Sequence, residues 1–113
     1  MRGMSAASAV PEHDLARIRP FCKEKSPPEH VDRVRVEPTV RGRTVTIVEH
    51  ELFDEDWLDI MVARLKYDTD TAHWTLYWPD RNGRFHRYED LRPGPVASLL
   101  AEVDRDPFGI FWG

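Results

Sequence analysis

The chain has 113 residues, a length that corresponds to one domain. Its 16 basic and 20 acidic side chains give a formal net charge of −4, which argues against general polyanion binding. The single cysteine, Cys22, excludes an internal disulfide or a cysteine-rich zinc site and favours a reducing cytoplasm. No run approaches the roughly 20 apolar residues of a membrane span.

The N-terminal region predicts a short helix. Leu15, Ile18 and Cys22 recur at helical spacing, which indicates a helix over residues 12–23. Pro20 falls inside it and should either kink the helix or divide it into two short pieces. Residues 1–11 are predicted to be a disordered leader, and residues 12–113 a single domain.

From residue 31 onward, the apolar period changes to two, which is typical of strands. Predicted strands cover residues 33–37, 44–48, 57–67, 74–78 and 84–88. The acidic stretch from Glu49 to Asp56 is predicted to be an irregular loop. Short connections between consecutive strands favour an antiparallel meander.

The last two predicted strands flank Asn82-Gly83, a pair that suits a tight hairpin turn. With a left-handed bulge at Gly83, Trp78 faces His86; with a two-residue turn at Asn82-Gly83, Trp78 faces Arg87. We favour the bulged register because it collects most of the aromatic side chains on the core face.

After Pro95, apolar residues at helical spacing predict a C-terminal helix that begins near Val96. The segment that follows is too apolar for a free tail, so we expect it to dock on the core or add a strand at an edge. The fold class is therefore α+β, an antiparallel meander of about five strands with N- and C-terminal helices packed on one face. The predicted core includes Ile47, Met61, Leu65, Trp74, Leu76, Trp78, Leu99 and Leu100.

Several motifs resemble one bacterial family. They are the aromatic stretch over residues 74–88, the end of the chain over residues 99–113, and upstream Phe21-Cys22, Pro27-Pro28 and the pattern over residues 40–49. Together they are similar to domain-of-unknown-function family 3024 over roughly residues 12–113. The resemblance implies a small bacterial cytoplasmic protein and supplies no activity, ligand or catalytic residue.

Our first functional hypothesis is a non-enzymatic protein-binding or regulatory module that acts through a protein partner or as a homodimer. The apolar residues Phe108, Phe111 and Trp112 are the predicted partner surface. The competing interpretation is that these residues close the protein's own core.

The second hypothesis is a nucleic-acid-binding module. Guanidinium groups beside exposed aromatics suit phosphate contact and base stacking. The predicted residues are Arg33, Arg35, Arg81, Arg84, Arg87 and Tyr77. The competing interpretation is that the arginines form ordinary solvated faces paired with nearby carboxylates.

A third hypothesis is a small hydrolase or nuclease centred on His86 and supported by Arg84, Arg87 and Tyr88. No glycine loop or nucleophile motif accompanies it, so we assign no catalytic residue and favour a protein without catalysis. Cys22 lies on the apolar side of the first helix, where a free cysteine usually behaves as a small hydrophobe. The five histidines lack the spacing of metal ligands, so we predict no metal and no cofactor.

Overall fold

The computed structural model describes residues 9–112, which form a five-stranded antiparallel sheet with one helix before it and one after it. The strands pair in chain order, so the predicted meander and the α+β class are confirmed. The elements are α1 (Glu12–Lys25), β1 (Val34–Arg41), β2 (Thr44–Phe53), β3 (Asp56–Asp68), β4 (His73–Pro79), β5 (Phe85–Arg87) and α2 (Val96–Arg105), with a 3-10 turn at Pro28–His30. Within this part of the chain, no helix is both long and apolar enough to cross a membrane.

Both helices pack on the same face of the sheet and share one core. The core includes Leu15, Ile18, Val45, Ile47, Leu65, Leu76, Leu99 and Val103. At the contact between α1 and β4, the indole nitrogen of Trp74 donates a 2.8 Å hydrogen bond to Asp14 Oδ2. In the described residues, no helix covers the opposite side of the sheet, which we call the open face.

α1 runs through Pro20 as one helix of 14 residues, so the division into two pieces does not occur. Proline costs about 3 kcal/mol in a helix interior because it removes a hydrogen bond and crowds the preceding turn. Leu15, Ile18 and Cys22 are buried against the sheet, and this packing stabilises the helix despite the proline.

The predicted leader falls largely outside the described residues, which begin at residue 9. The Ala9 N–H donates to the carbonyl of Gly42, and Val10 is part of the core. The ordered domain therefore begins before residue 12.

The prediction of an irregular loop from Glu49 to Asp56 is wrong. β2 continues to Phe53, and a two-residue turn at Asp54-Glu55 leads directly into β3. Both turn residues have positive φ, 52° and 74°, the backbone geometry that a tight hairpin requires. The carboxylates conceal the strand because acidic residues have low β-propensity.

A bulge in the pairing of β2 with β3 changes which side chains of β3 face the core. Ile47 pairs with Ala63 and Val48 with Met61, which leaves Val62 as an extra residue. Met61 therefore lies on the open face and is exposed, and its assignment to the core is wrong. Of the other predicted core residues, Ile47, Leu65, Trp74, Leu76, Leu99 and Leu100 are buried, and Trp78 is half-buried against the core.

The β4–β5 hairpin has the bulged register that we favoured. Trp78 pairs with His86, and Gly83 has a φ of 82°. Asp80 holds the turn, since its Oδ1 accepts hydrogen bonds from the backbone N–H groups of Asn82 at 2.8 Å and Arg84 at 3.0 Å.

The segment after α2 docks on the core and forms no strand up to Trp112. The carboxylate of Asp106 accepts hydrogen bonds from three successive backbone N–H groups, those of Ile110, Phe111 and Trp112, at 2.8 to 3.0 Å. The Trp112 indole nitrogen donates to the carbonyl of Val103 at 2.9 Å. The prediction of docking is confirmed for these residues.

Candidate functional site

The most distinctive surface is the end of the β2–β3 hairpin, residues 49–63, which we call the arm. β1 pairs with β2 from Thr44 to Glu51, so it covers the first three residues of the arm. On the other side, β4 pairs with β3 only from Arg64 to Asp68. Among the described residues, the edge of β3 from Asp56 to Ala63 therefore has no partner strand, and its outward backbone groups are free to pair.

Large apolar side chains are concentrated on the arm. Seven large hydrophobic residues of the described chain are exposed, and five of them belong to the arm. Those five are Phe53 (66 % exposed), Trp57 (42 %), Leu58 (48 %), Ile60 (43 %) and Met61 (37 %). They occupy both faces of the arm, since neighbouring strand residues point to opposite sides. Clustered exposed apolar surface of this kind is uncommon on soluble monomers.

The other two edges of the sheet are protected. Edge strand β1 contains Pro38, which has no N–H to offer, and α1 packs next to it. At the opposite end, β5 is only three residues long. Short strands and prolines protect sheet edges from unwanted pairing, and the exposed edge of β3 has neither.

The arm is also acidic. Six carboxylates lie between Glu49 and Asp59, and the sequence has no Lys or Arg from residue 49 to residue 63. Glu49 and Glu51 share one side of β2, where they pair across to Ile60 and Leu58. A hydrogen bond to Glu51, together with partial burial, raises the pKa of Glu49 to about 7. The arm therefore combines apolar surface with carboxyl groups that have no Lys or Arg among them.

The structure separates the six residues predicted for nucleic-acid binding into two groups. Three of them lie on the open face, namely Arg35, Tyr77 and Arg87. There the guanidinium group of Arg35 stacks on Trp57, with its carbon 4.6 Å from the ring centre. Arg33 precedes β1, and Arg81 and Arg84 lie in the β4–β5 connection.

Two cations on the open face were not assigned to a site from the sequence. Lys66 Nζ lies 4.6 Å from the ring centre of Tyr77, and the Arg64 guanidinium carbon lies 4.0 Å from that of Phe85. The signal that could have found them is their alternation with Ala63 and Leu65, which are buried.

Of the residues predicted to bind a partner, Phe111 is buried and Trp112 is half-buried against the core. Phe108 is exposed, and its ring lies 6.3 Å from that of Tyr88. The positions of Phe111 and Trp112 fit the alternative that this end closes the protein's own core.

Of the residues in the hypothesis centred on His86, three line one surface cavity of about 330 Å³, namely His86, Arg87 and Tyr88, and Arg84 is not part of its lining. His86 is exposed, stacks on Trp78 with ring centres 4.8 Å apart, and lies with Nε2 2.7 Å from Asp80 Oδ2. That contact lowers the pKa of Asp80, with further help from the N–H of Arg84. The Tyr88 hydroxyl points away, into the core, where it donates to Glu102.

Cys22 and a metal site are the other candidates for chemistry in the described chain. Cys22 is buried, and desolvation raises the pKa of its thiol to about 12, with the negative charge of Glu37 adding to the effect. A buried thiol of this kind is a poor nucleophile at neutral pH. Within residues 9–112, no cluster of three or more His, Cys, Asp or Glu side chains is arranged to hold a metal ion.

The fold and the arm define a small α+β domain with one open sheet face and one unprotected strand edge. The chain belongs to the family described as Domain of unknown function (DUF3024), whose model matches residues 7–113. The resemblance stated from the sequence motifs is thereby confirmed. Searches of curated proteins and of solved structures gave no significant match.

Proposed function

We propose that this protein is a protein-binding module that takes up an extended, basic and apolar segment of another protein as an added strand on β3. The observation that carries the proposal is the unpaired edge from Asp56 to Ala63, with exposed apolar side chains on both of its faces. Strand addition to a sheet edge is a common mode of peptide recognition, in which backbone hydrogen bonds supply affinity and alternate side chains supply specificity.

The side chains around the edge indicate what the added strand should contain. On the helix side it would lie beside Leu58 and Ile60, and on the open side beside Trp57 and Met61, so apolar residues are favoured on both of its faces. Burial of one such side chain contributes about 1.5–3 kcal/mol.

The charge of the arm favours a cationic partner. Asp59 lies between the two exposed aliphatic residues Leu58 and Ile60, and Glu49 and Glu51 lie one strand further away, within reach of a long basic side chain. The pKa of Glu49 is raised chiefly by its hydrogen bond with Glu51, then by partial burial, and least by the negative charge of Glu51. A Lys or Arg from the partner would favour the ionised form of both carboxyls.

A second copy of this chain is the weaker candidate for the edge. A two-fold pairing of β3 with β3 would bring together two arms that each carry six carboxylates. Like charges placed side by side across a sheet are destabilising, so self-association through this edge is opposed by electrostatics.

The test is a titration of the full chain with a capped octapeptide of two Lys-Lys-Val-Val repeats, which as a strand carries lysine and valine on both faces. A matched peptide of two Glu-Glu-Val-Val repeats is the charge control. Calorimetry should detect binding of the lysine peptide, and hydrogen exchange should show new protection confined to the β3 edge, residues 57–62. Ile60→Lys should weaken binding at least about tenfold, because one buried apolar contact is lost and a like charge is added.

Val31→Lys is the matched variant, since Val31 is an aliphatic residue of similar exposure, 48 %, that lies outside the arm. It should bind the lysine peptide as the parent protein does. Equal affinity for the glutamate peptide, or protection outside the arm, would overturn the proposal. Light scattering that shows a stable dimer, with β3 protected before any peptide is added, would assign the edge to a second copy instead.

A further inference from the structure

The open face has an ordered arrangement of side chains that the arm does not use. The strand registers place Thr39, Thr46, Arg64, Tyr77 and Arg87 in one row that crosses all five strands. The neighbouring row consists of Arg41, Thr44, Lys66 and Thr75. These two rows carry four cations, four threonine hydroxyls and no carboxylate. A groove of about 560 Å³ is lined by Arg41, Arg64 and three of the threonines, and it extends from them to Asp59.

Carboxylates of the open face lie beyond these rows. Glu37 and Asp59 are nearer the arm, and both engage His50, whose Nε2 is 3.3 Å from Glu37 Oε1 and whose Nδ1 is 2.6 Å from Asp59 Oδ1. Asp68 lies at the other end of β3, and its Oδ1 accepts a hydrogen bond from the backbone N–H of Asp70. The cationic part of the face therefore lies between Asp68 at one end and the group formed by Glu37, His50 and Asp59 at the other.

We propose that the cationic part of the open face binds single-stranded nucleic acid, with phosphates on its arginines and lysine and a base stacked on Tyr77. Arg41, Lys66 and Arg87 are exposed, so they can reach a ligand without rearrangement of the core. Tyr77 and Phe85 are half-buried on the same face and already stack with cations, an arrangement that suits bases and guanidinium planes together.

The net charge of −4 does not oppose binding at this place. The acidic turn of the arm begins about eight residues from Arg64 along β3, or about 26 Å at the rise of a strand. At physiological salt the Debye length is about 8 Å, so the carboxylates of the turn are screened from a strand bound over Arg64 and Arg87. The nearer carboxylates, Glu37 and Asp59, both contact His50, at 3.3 Å and 2.6 Å. The cationic rows therefore act locally on a polyanion.

A single strand fits this surface better than a duplex. Four strand spacings of about 4.8 Å make the row about 19 Å wide, enough for a short run of nucleotides laid across the sheet. The surface offers aromatic rings, which can stack only on bases that are not already paired within a helix.

The experiment measures fluorescence anisotropy of labelled, mixed-sequence RNA and DNA strands of about 12 nucleotides, a length in the range that small single-strand modules cover. Each strand is compared with its duplex, starting at low salt. Four phosphate contacts predict that the logarithm of the association constant falls with the logarithm of salt with a slope of about −3. Substitution of Arg41, Lys66 and Arg87 by Gln should weaken binding at least about 30-fold and reduce the slope to about −1.

The matched control replaces three exposed cations away from the open face, Arg17, Lys23 and Arg92, by Gln. It should leave the affinity within about twofold, because these residues contact none of the bound phosphates. Tyr77→Ala should cost about tenfold through lost stacking, whereas Tyr77→Phe should retain the parent affinity.

Three results would overturn the inference. They are no anisotropy change with any single strand at low salt, an equal loss in the two triple variants, and preference for duplex with Tyr77→Ala unaffected. Thermal unfolding of each variant shows whether a loss reflects misfolding. The inference does not depend on peptide binding at β3, so failure of either proposal leaves the other standing.

Discussion

The Tyr88 hydroxyl donates a 2.6 Å hydrogen bond to Glu102 Oε2 inside the core and so ties the end of the β4–β5 hairpin to α2. The other carboxylate oxygen of Glu102 accepts from Arg105 Nη1 at 3.0 Å. Burial and the neighbouring carboxylate raise the pKa of Tyr88, so it remains the donor at neutral pH. The hydrogen bond joins two residues that are 14 positions apart in the sequence.

Removal of the Tyr88 hydroxyl should destabilise the fold. Tyr88→Phe leaves the buried carboxylate of Glu102 without one donor, and such a loss costs about 1–3 kcal/mol. Urea denaturation of parent and variant measures the free energy of unfolding. Tyr77→Phe removes the same atom on the open face and should change stability by less than about 0.5 kcal/mol. Equal stability of Tyr88→Phe and the parent would show that this hydrogen bond contributes nothing net.

Asp106 should be the most sensitive residue of the C-terminal segment. Its carboxylate accepts three backbone hydrogen bonds, and its φ of 42° is one that Asp and Asn tolerate better than Ala. Asp106→Ala should therefore cost about 2 kcal/mol or more, and Asp106→Asn clearly less. Hydrogen exchange at Ile110, Phe111 and Trp112 provides the local readout.

Asp104→Ala is the comparison variant for that experiment. Asp104 forms an exposed ion pair with Lys25, which contributes at most about 1 kcal/mol. The prediction fails if Asp104→Ala and Asp106→Ala are equally destabilised, or if the three amides exchange at the parent rate in Asp106→Ala.

Stability should depend on pH through Glu49. The pKa of Glu49 rises from its ordinary value of 4.5 to about 7 in the folded protein, chiefly through the hydrogen bond with Glu51. Between these two values the folded state holds more protons at Glu49 than the unfolded state, so the stabilisation from Glu49 is complete below pH 4.5 and is lost as the pH rises towards 7. Solvent screening of this half-exposed group limits the effect to about 1 kcal/mol.

Denaturation at several pH values, with Glu49→Gln beside the parent, isolates this contribution. The glutamine still donates to Glu51 but does not titrate, so the difference between the two proteins should change over the window from pH 4.5 to 7. The stability of Glu24→Gln, a change at an exposed position on α1, should vary with pH as that of the parent does. A difference in the free energy of unfolding between Glu49→Gln and the parent that stays constant across the window would refute the raised pKa of Glu49.

Gly83 should tolerate no side chain without strain. Its φ of 82° lies in the left-handed region, so Gly83→Ala should cost about 1–2 kcal/mol although no atom lies within 4 Å of the added methyl group. Gly94→Ala is the matched change: its nearest contact is an ordinary 3.6 Å and its φ is not positive. Thermal unfolding should rank Gly83→Ala clearly below Gly94→Ala, and the reverse order would contradict the bulged turn.

The sequence predicted the meander, the two helices and the register of the last hairpin, because each depends on local patterns. Period-two alternation identified all five strands in part or in full, and Gly83 has the backbone freedom that the bulge needs. The part of the arm from residue 49 to residue 56 was missed because its acidic residues conceal the alternation. The bulge at Val62 was missed because a one-residue shift leaves no composition signal, and it moved Met61 from the core to the surface.

For the functional surfaces, the sequence by itself determined which residue types are present: an acidic apolar stretch from Glu49 to Met61, arginines on several strands, and aromatic residues at the end of the sheet. Only the tertiary structure decided where they lie. β4 leaves β3 at Arg64, which exposes one edge, and the pairing of five strands assembles cations from β1, β3 and β5 into two adjacent rows. Both features depend on contacts between distant segments, which local propensity does not encode.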